Sequence, residues 1–128
     1  MTMAARTSTA PKPDEGTVVT RAALRAATRL GLSNRVLATV LGVSEATISR
    51  MGSGTYVLKP GDKAFELAIL FLRLFRALDA IVAGDAAAAR AWLQNDNTAL
   101  GATPVTLIAS VSGLVNVVGY LDARRALV

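Results

Sequence analysis

The stretch Asn34–Met51, NRVLATVLGVSEATISRM, has the residue spacing of two short helices joined by a tight turn. Leu37, Ala38 and Leu41 recur on one helical face, and Gly42 follows where the chain must turn sharply, a place a residue without Cβ occupies cheaply at positive φ. Ser44 is a strong N-cap for the second helix, and Glu45 complements the positive end of its dipole. Val43, Ile48 and Met51 supply the apolar contacts that lock the pair together. Glu45, Ala46, Ser49 and Arg50 are left to project outwards, as the N-terminal half of a recognition helix must to reach base edges. The pattern predicts a helix-turn-helix that reads DNA, against the plainer alternative of a helical hairpin in an all-α core.

The distribution of charge points the same way. The chain carries 14 Lys and Arg against 9 Asp and Glu, a net charge of +5. From Met1 to Lys63 nine basic residues face four acidic ones, whereas from Ala64 to Val128 five face five, so the whole excess lies on the half with the helix-turn-helix. Segregated positive charge is what phosphate neutralisation requires. Asn34 and Arg35 at the start of the first helix, with Lys59 and Lys63 after the second, are the candidate phosphate contacts. Arg50 is the candidate base reader, because a guanidinium pairs bidentately with guanine O6 and N7.

Composition narrows the remaining classes. Cysteine and histidine are both absent, which excludes disulfides, the commonest zinc sites, the Ser-His-Asp triad and the usual neutral-pH base. No paired-carboxylate motif stands in for them, so no enzyme activity, metal or cofactor is expected. Residues 1–16, MTMAARTSTAPKPDEG, read as a disordered tail. They hold no apolar segment of signal-peptide type, and a cytoplasmic location is the default. Hydrophobic residues make up 52% of the 128 and mean hydropathy is +0.44, which suggests that apolar surface is buried against a partner.

The rest of the chain reads as helices, so the fold class is all-α. Thr20 is the candidate cap of a helix running to Leu30, with Gly31 as its stop and Ser33 capping the next. Asp62 opens a long helix to about Ala83 in which 16 of the 20 residues from Ala64 are apolar. Its polar exceptions, Glu66, Arg73, Arg76 and Asp79, gather within about 140° of the circumference, so the helix is amphipathic and no membrane span is expected. The remaining face is wider than a small domain normally covers, which predicts self-association there and a homodimer that pairs two DNA half-sites. Asp85 caps a helix through Gln94, Thr103 and Pro104 open another, and a last one from near Ser112 carries Leu114, Val117, Val118 and Leu121 on one stripe. VTLIASV, the one segment that could alternate as a strand, is argued into a helix by the Thr-Pro start.

The first stretch resembles the helix-turn-helix of phage-repressor and Xre-type regulators. Further on, AARAWLQNDNTALGATPVTLIAS resembles the C-terminal domain of the Xre/MbcA/ParS antitoxins through Trp92, Leu93, Asn97, Ala99, Leu100, Gly101 and Pro104. It departs at Asp96, where a family member often has Pro, and Asp favours a turn as Asn does. The resemblance implies an antitoxin of a type II toxin-antitoxin system. Such a protein binds a RES-domain toxin, a fold associated with NAD consumption, and represses its own operon. It implies a hetero-oligomer with the toxin, with the antitoxin's C-terminus reaching toward the toxin's active-site cleft. The last helix and tail therefore supply the candidate toxin contacts, Tyr120, Asp122, Arg124, Arg125, Leu127 and Val128. The expected organisation is a tail over 1–16, a helix-turn-helix DNA-binding region over 17–61, and a small helical dimerisation and toxin-binding domain over 62–128. The competing reading is a stand-alone dimeric helix-turn-helix regulator with no toxin partner.

Overall fold

Five short polar side chains set five of the helix starts. Asp14, Ser33, Ser44, Asp85 and Ser110 each stand in extended backbone and accept the N–H three residues on, from Thr17, Val36, Thr47, Ala88 and Gly113 at 2.7–3.2 Å. The computed structural model describes residues 14–127. In chain order its helices are α1 (Glu15–Arg29), α2 (Asn34–Leu41), α3 (Glu45–Ser53), α4 (Lys63–Ile81), α5 (Ala86–Gln94), α6 (Pro104–Leu107) and α7 (Val111–Arg125). The described residues contain no strand; an isolated bridge between Asn97 and Ala102 closes the loop after α5. The all-α expectation holds, and VTLIASV resolves into the end of α6, a turn and the start of α7.

The first helix begins earlier than its expected cap. Asp14 rather than Thr20 opens α1, so only residues 1–13 of the expected tail lie outside the described residues, and Glu15 and Gly16 are helical. Thr20 does different work. Its buried hydroxyl donates to the Gly16 carbonyl at 2.7 Å and accepts the Leu58 N–H at 2.9 Å, tying α1 to the loop behind α3. A Cβ on Gly16 would stand 2.2 Å from the Leu58 carbonyl oxygen, so the same crossing also requires glycine. Asp62 and Thr103 occupy their expected cap positions without a side-chain cap bond; Thr103 pairs instead with the Thr106 hydroxyl at 2.7 Å.

Helix α4 is the centre of the molecule. Phe65, Leu67, Ala68, Phe71, Leu72, Leu74, Ala77 and Leu78 are all buried, and α1, α2, α5 and α7 pack around them. This corrects the expectation of a broad self-association face on α4: the chain covers most of that face itself, leaving only a strip with Ile69 exposed and Leu70 and Phe75 partly so. Helix α7 contributes Leu114, Val117, Val118 and Leu121 to one continuous core that also holds Leu37, Leu41, Ile48 and Met51 of the helix-turn-helix. Two arginines close the far end. Arg29 of α1 donates to the Gly84 carbonyl at 2.9 Å beyond α4, and Arg90 of α5 donates to the Arg29 carbonyl at 2.9 Å at the end of α1.

Replacing Thr20 with Val leaves the buried Leu58 N–H without an acceptor and is expected to cost about 1–3 kcal/mol in urea unfolding, while Thr20→Ser retains most of the stability. The Thr17 N–H holds the Asp14 carboxyl below its usual range, so its cap is in place at neutral pH and lost as pH falls through that lowered value. A lower protection factor at the Thr17 amide in acid, its exchange rate taken relative to the intrinsic rate at the same pH, is expected for the native chain. An Asp14→Asn variant, which caps without titrating, should not show it.

Candidate functional site

The turn between α2 and α3 has the chemistry its sequence requires. Gly42 sits at φ 71° and its N–H reaches back to α2, after which Ser44 caps α3. Leu37, Ala38, Leu41, Ile48 and Met51 are buried and Val43 partly so, which fixes the angle between the two helices. Of the residues expected at base edges or phosphates, Asn34, Arg35, Ser44, Glu45, Ala46, Ser49, Arg50, Lys59 and Lys63 are all exposed. They lie on the N-terminus of α2, the outer face of α3, the following loop and the first turn of α4. Lys63 also borders a groove of ≈ 340 Å³ that lies between Thr39–Gly42 at the end of α2 and Ala109–Val111 at the start of α7.

Arg50 is not a free arm. Its Nη2 donates to the Thr47 hydroxyl at 3.2 Å, and that oxygen lies 2.9 Å from the Ser44 hydroxyl, so cap and guanidinium belong to one chain of hydrogen bonds. This turns Arg50 back along α3 toward its N-terminus, the end that enters a groove in helix-turn-helix proteins. Thr47 was missed in the sequence reading. Its place three residues after Ser44, where a capping partner stands, was the available signal.

The expected toxin contacts fall on two flanks of α7. On one, the Tyr120 ring stacks on Trp92 of α5, with centroids 6.3 Å apart and planes 22° apart, and the Arg124 guanidinium lies 5.7 Å from the Tyr120 centroid. On the other, Asp122 accepts from Arg73 of α4 at 2.8 Å in an exposed ion pair. Arg125 and Leu127 are exposed at the end of the helix, and Val128 lies outside the described residues. Trp92 is half-buried and shares its ring between the core and Tyr120.

The loop between α5 and α6 is held by its own residues. Asn97 Oδ1 accepts the Leu100 N–H at 3.1 Å, its carbonyl accepts the Gly101 N–H at 2.8 Å, and Gly101 takes φ 85°. The turn therefore forms with Asp96 in place of Pro. Among the described residues no group of carboxylates is placed to hold a metal ion, and no helix is long and apolar enough to cross a membrane.

Residues 10–73 match the antitoxin Xre-like helix-turn-helix domain family, and residues 77–126 match the antitoxin Xre/MbcA/ParS C-terminal toxin-binding domain. A search of curated proteins found no match. The two matched segments meet within α4, the helix that both halves of the core share.

Ser44→Ala removes the cap of α3 and is expected to cost about 0.5–2 kcal/mol in urea unfolding, whereas Ser44→Asp, which caps equally well, should lie close to the native value.

Proposed function

The chain belongs to the antitoxins that join an Xre-like helix-turn-helix to an Xre/MbcA/ParS toxin-binding domain, and from that premise we propose that it neutralises a RES-domain toxin and represses its own operon in the cytoplasm. The observation that carries the reading is the union, in one chain, of a helix-turn-helix whose reading face is unburied and a domain matched to toxin binding. The RES assignment is supported by the stretch from Trp92 to Pro104 that resembles the family's C-terminal motif.

On DNA, α3 lies in the major groove with its N-terminal residues against base edges. Arg50 pairs with guanine O6 and N7, and its tether to Thr47 lowers the side-chain entropy lost on binding. Arg35, Lys59, Lys63 and the free N–H groups at the start of α2 hold phosphates and set the register. One chain carries one reading helix, so repression calls for a homodimer spanning half-sites about 34 Å apart.

At the toxin, the cationic tail with Arg124 and Arg125 approaches a cleft shaped for an anionic dinucleotide, where charge complementarity favours it. Tyr120 is pre-oriented by its stack on Trp92, and Asp122 is turned away toward Arg73, leaving the arginines as the tail's outward charge. The antitoxin contributes no chemistry; occupation of the cleft is the inhibition.

The two activities should separate by mutation. Arg50→Ala is expected to weaken operator binding by about 1–3 kcal/mol in a mobility-shift titration, and Lys59→Ala to reduce the salt slope by about one unit, both with toxin neutralisation intact. Arg124→Ala with Arg125→Ala should do the reverse in a growth-rescue assay with the toxin encoded alongside. Loss of neutralisation in Arg50→Ala with operator binding preserved would reverse this division of labour.

A further inference from the structure

Helix α7 has no charge on the outer face of its first three turns. From Val111 to Leu121 it carries no charged residue, although Ser112, Val115, Asn116 and Gly119 are exposed. Surface helices normally turn charge to the solvent, so an outer face that carries none is one suited to a partner. The core covers one side only, through Leu114, Val117, Val118 and Leu121. On the other side Val111, Val115, Gly119, Ala123 and Leu127 follow one another four residues apart, forming an outward ridge flanked by the uncharged Ser112 and Asn116. Val111 is 47% exposed, Val115 48% and Leu127 88%.

Gly119 sits at the middle of this ridge and no contact among the described residues explains it. It lies in the helix interior without positive φ, and a Cβ built on it meets no atom within 4 Å. Gly113 in the same helix is different, because its Cβ would collide with the Leu107 carbonyl at 1.9 Å. Glycine weakens a helix and is retained where another backbone or ligand must approach closely. At about 100° per residue, Tyr120 and Arg124 border the ridge on the α5 side and Asp122 borders it on the α4 side. Contacts seen in the fold agree: Tyr120 stacks on Trp92 of α5 and Asp122 pairs with Arg73 of α4. An apolar centre edged by fixed Tyr, Trp and Arg side chains is the anatomy of a protein–protein interface.

We propose that the outward ridge of α7, centred on Val115 and Gly119, is the toxin's docking face, with a toxin element packed against the helix backbone at Gly119. The proposal rests on the antitoxin reading and sharpens it, since the ridge lies within the segment matched to toxin binding and runs directly into the cationic tail. A face without charge does not suit DNA. The tail enters the cleft; the ridge supplies the apolar area that holds it there.

The test uses the full chain and the toxin encoded beside it, titrated by calorimetry. Val115→Asp and Gly119→Leu are each expected to weaken toxin binding about tenfold or more, with operator binding and helical content unchanged. Gly119→Ala should raise the thermal midpoint of the free chain, as a better helix former, while still weakening the complex. Native toxin affinity in both Val115→Asp and Gly119→Leu overturns the proposal. So does loss of the chain's own dimer with toxin affinity retained, which assigns the ridge to a second copy. Failure of the native chain to bind the toxin at all overturns the antitoxin reading itself, and the docking face with it.

Discussion

A helix apolar at 14 of its 19 positions has to be enclosed on most of its circumference, and the enclosure of α4 organises everything else in this molecule. Leaving such a helix bare would forfeit about 1.5–3 kcal/mol for each large side chain left in water. Helix α1 covers one side through Ala23, Ala26 and Ala27, whose small side chains allow close approach, and α7 covers another through Leu114, Val117 and Leu121. Helix α2 closes the N-terminal end and α5 packs near the other. The DNA-reading pair and the toxin-binding segment are therefore two coats of one central helix.

Local chemistry in the sequence was enough to place the starts of α2, α3 and α5, because a Ser or Asp cap acts within its own turn: Ser33, Ser44 and Asp85 bond only to N–H groups three residues away. It misled at α1, where Asp14 and Thr20 are both capable caps. The choice between them is made by Leu58, thirty-eight residues from Thr20, whose N–H needs the buried hydroxyl. No local pattern announces such a partner. The wide apolar face of α4 misled for a related reason: periodicity reports how much surface must be covered but not whether the same chain covers it.

The candidate site divides in the same way. Exposure of Glu45, Ala46, Ser49 and Arg50 follows from the helical period once Ile48 and Met51 are buried, so the reading face was legible. The tether from Arg50 through Thr47 to Ser44 was not, because it depends on rotamers. Trp92 and Tyr120 stand twenty-eight residues apart on different helices, and only the packing of α5 beside α7 reveals that they form a stack.

A shared core also constrains how two partners are held by one chain. Were the reading head and the toxin-binding segment separate bodies on a linker, a bound toxin would be free to reorient over the operator. Here α4 runs through both, and at its far end Arg29 of α1 holds the Gly84 carbonyl beyond α4 while Arg90 of α5 holds the Arg29 carbonyl at the end of α1. The groove beside Lys63 lies between the end of α2 and the first turn of α7, where the exposed ridge begins. A toxin seated on the proposed α7 face would then be carried at a fixed orientation to the DNA axis. On the proposed function, its bulk would either fit beside a neighbouring half-site or clash with it, and that geometry would set whether the loaded complex represses better or worse than the free chain.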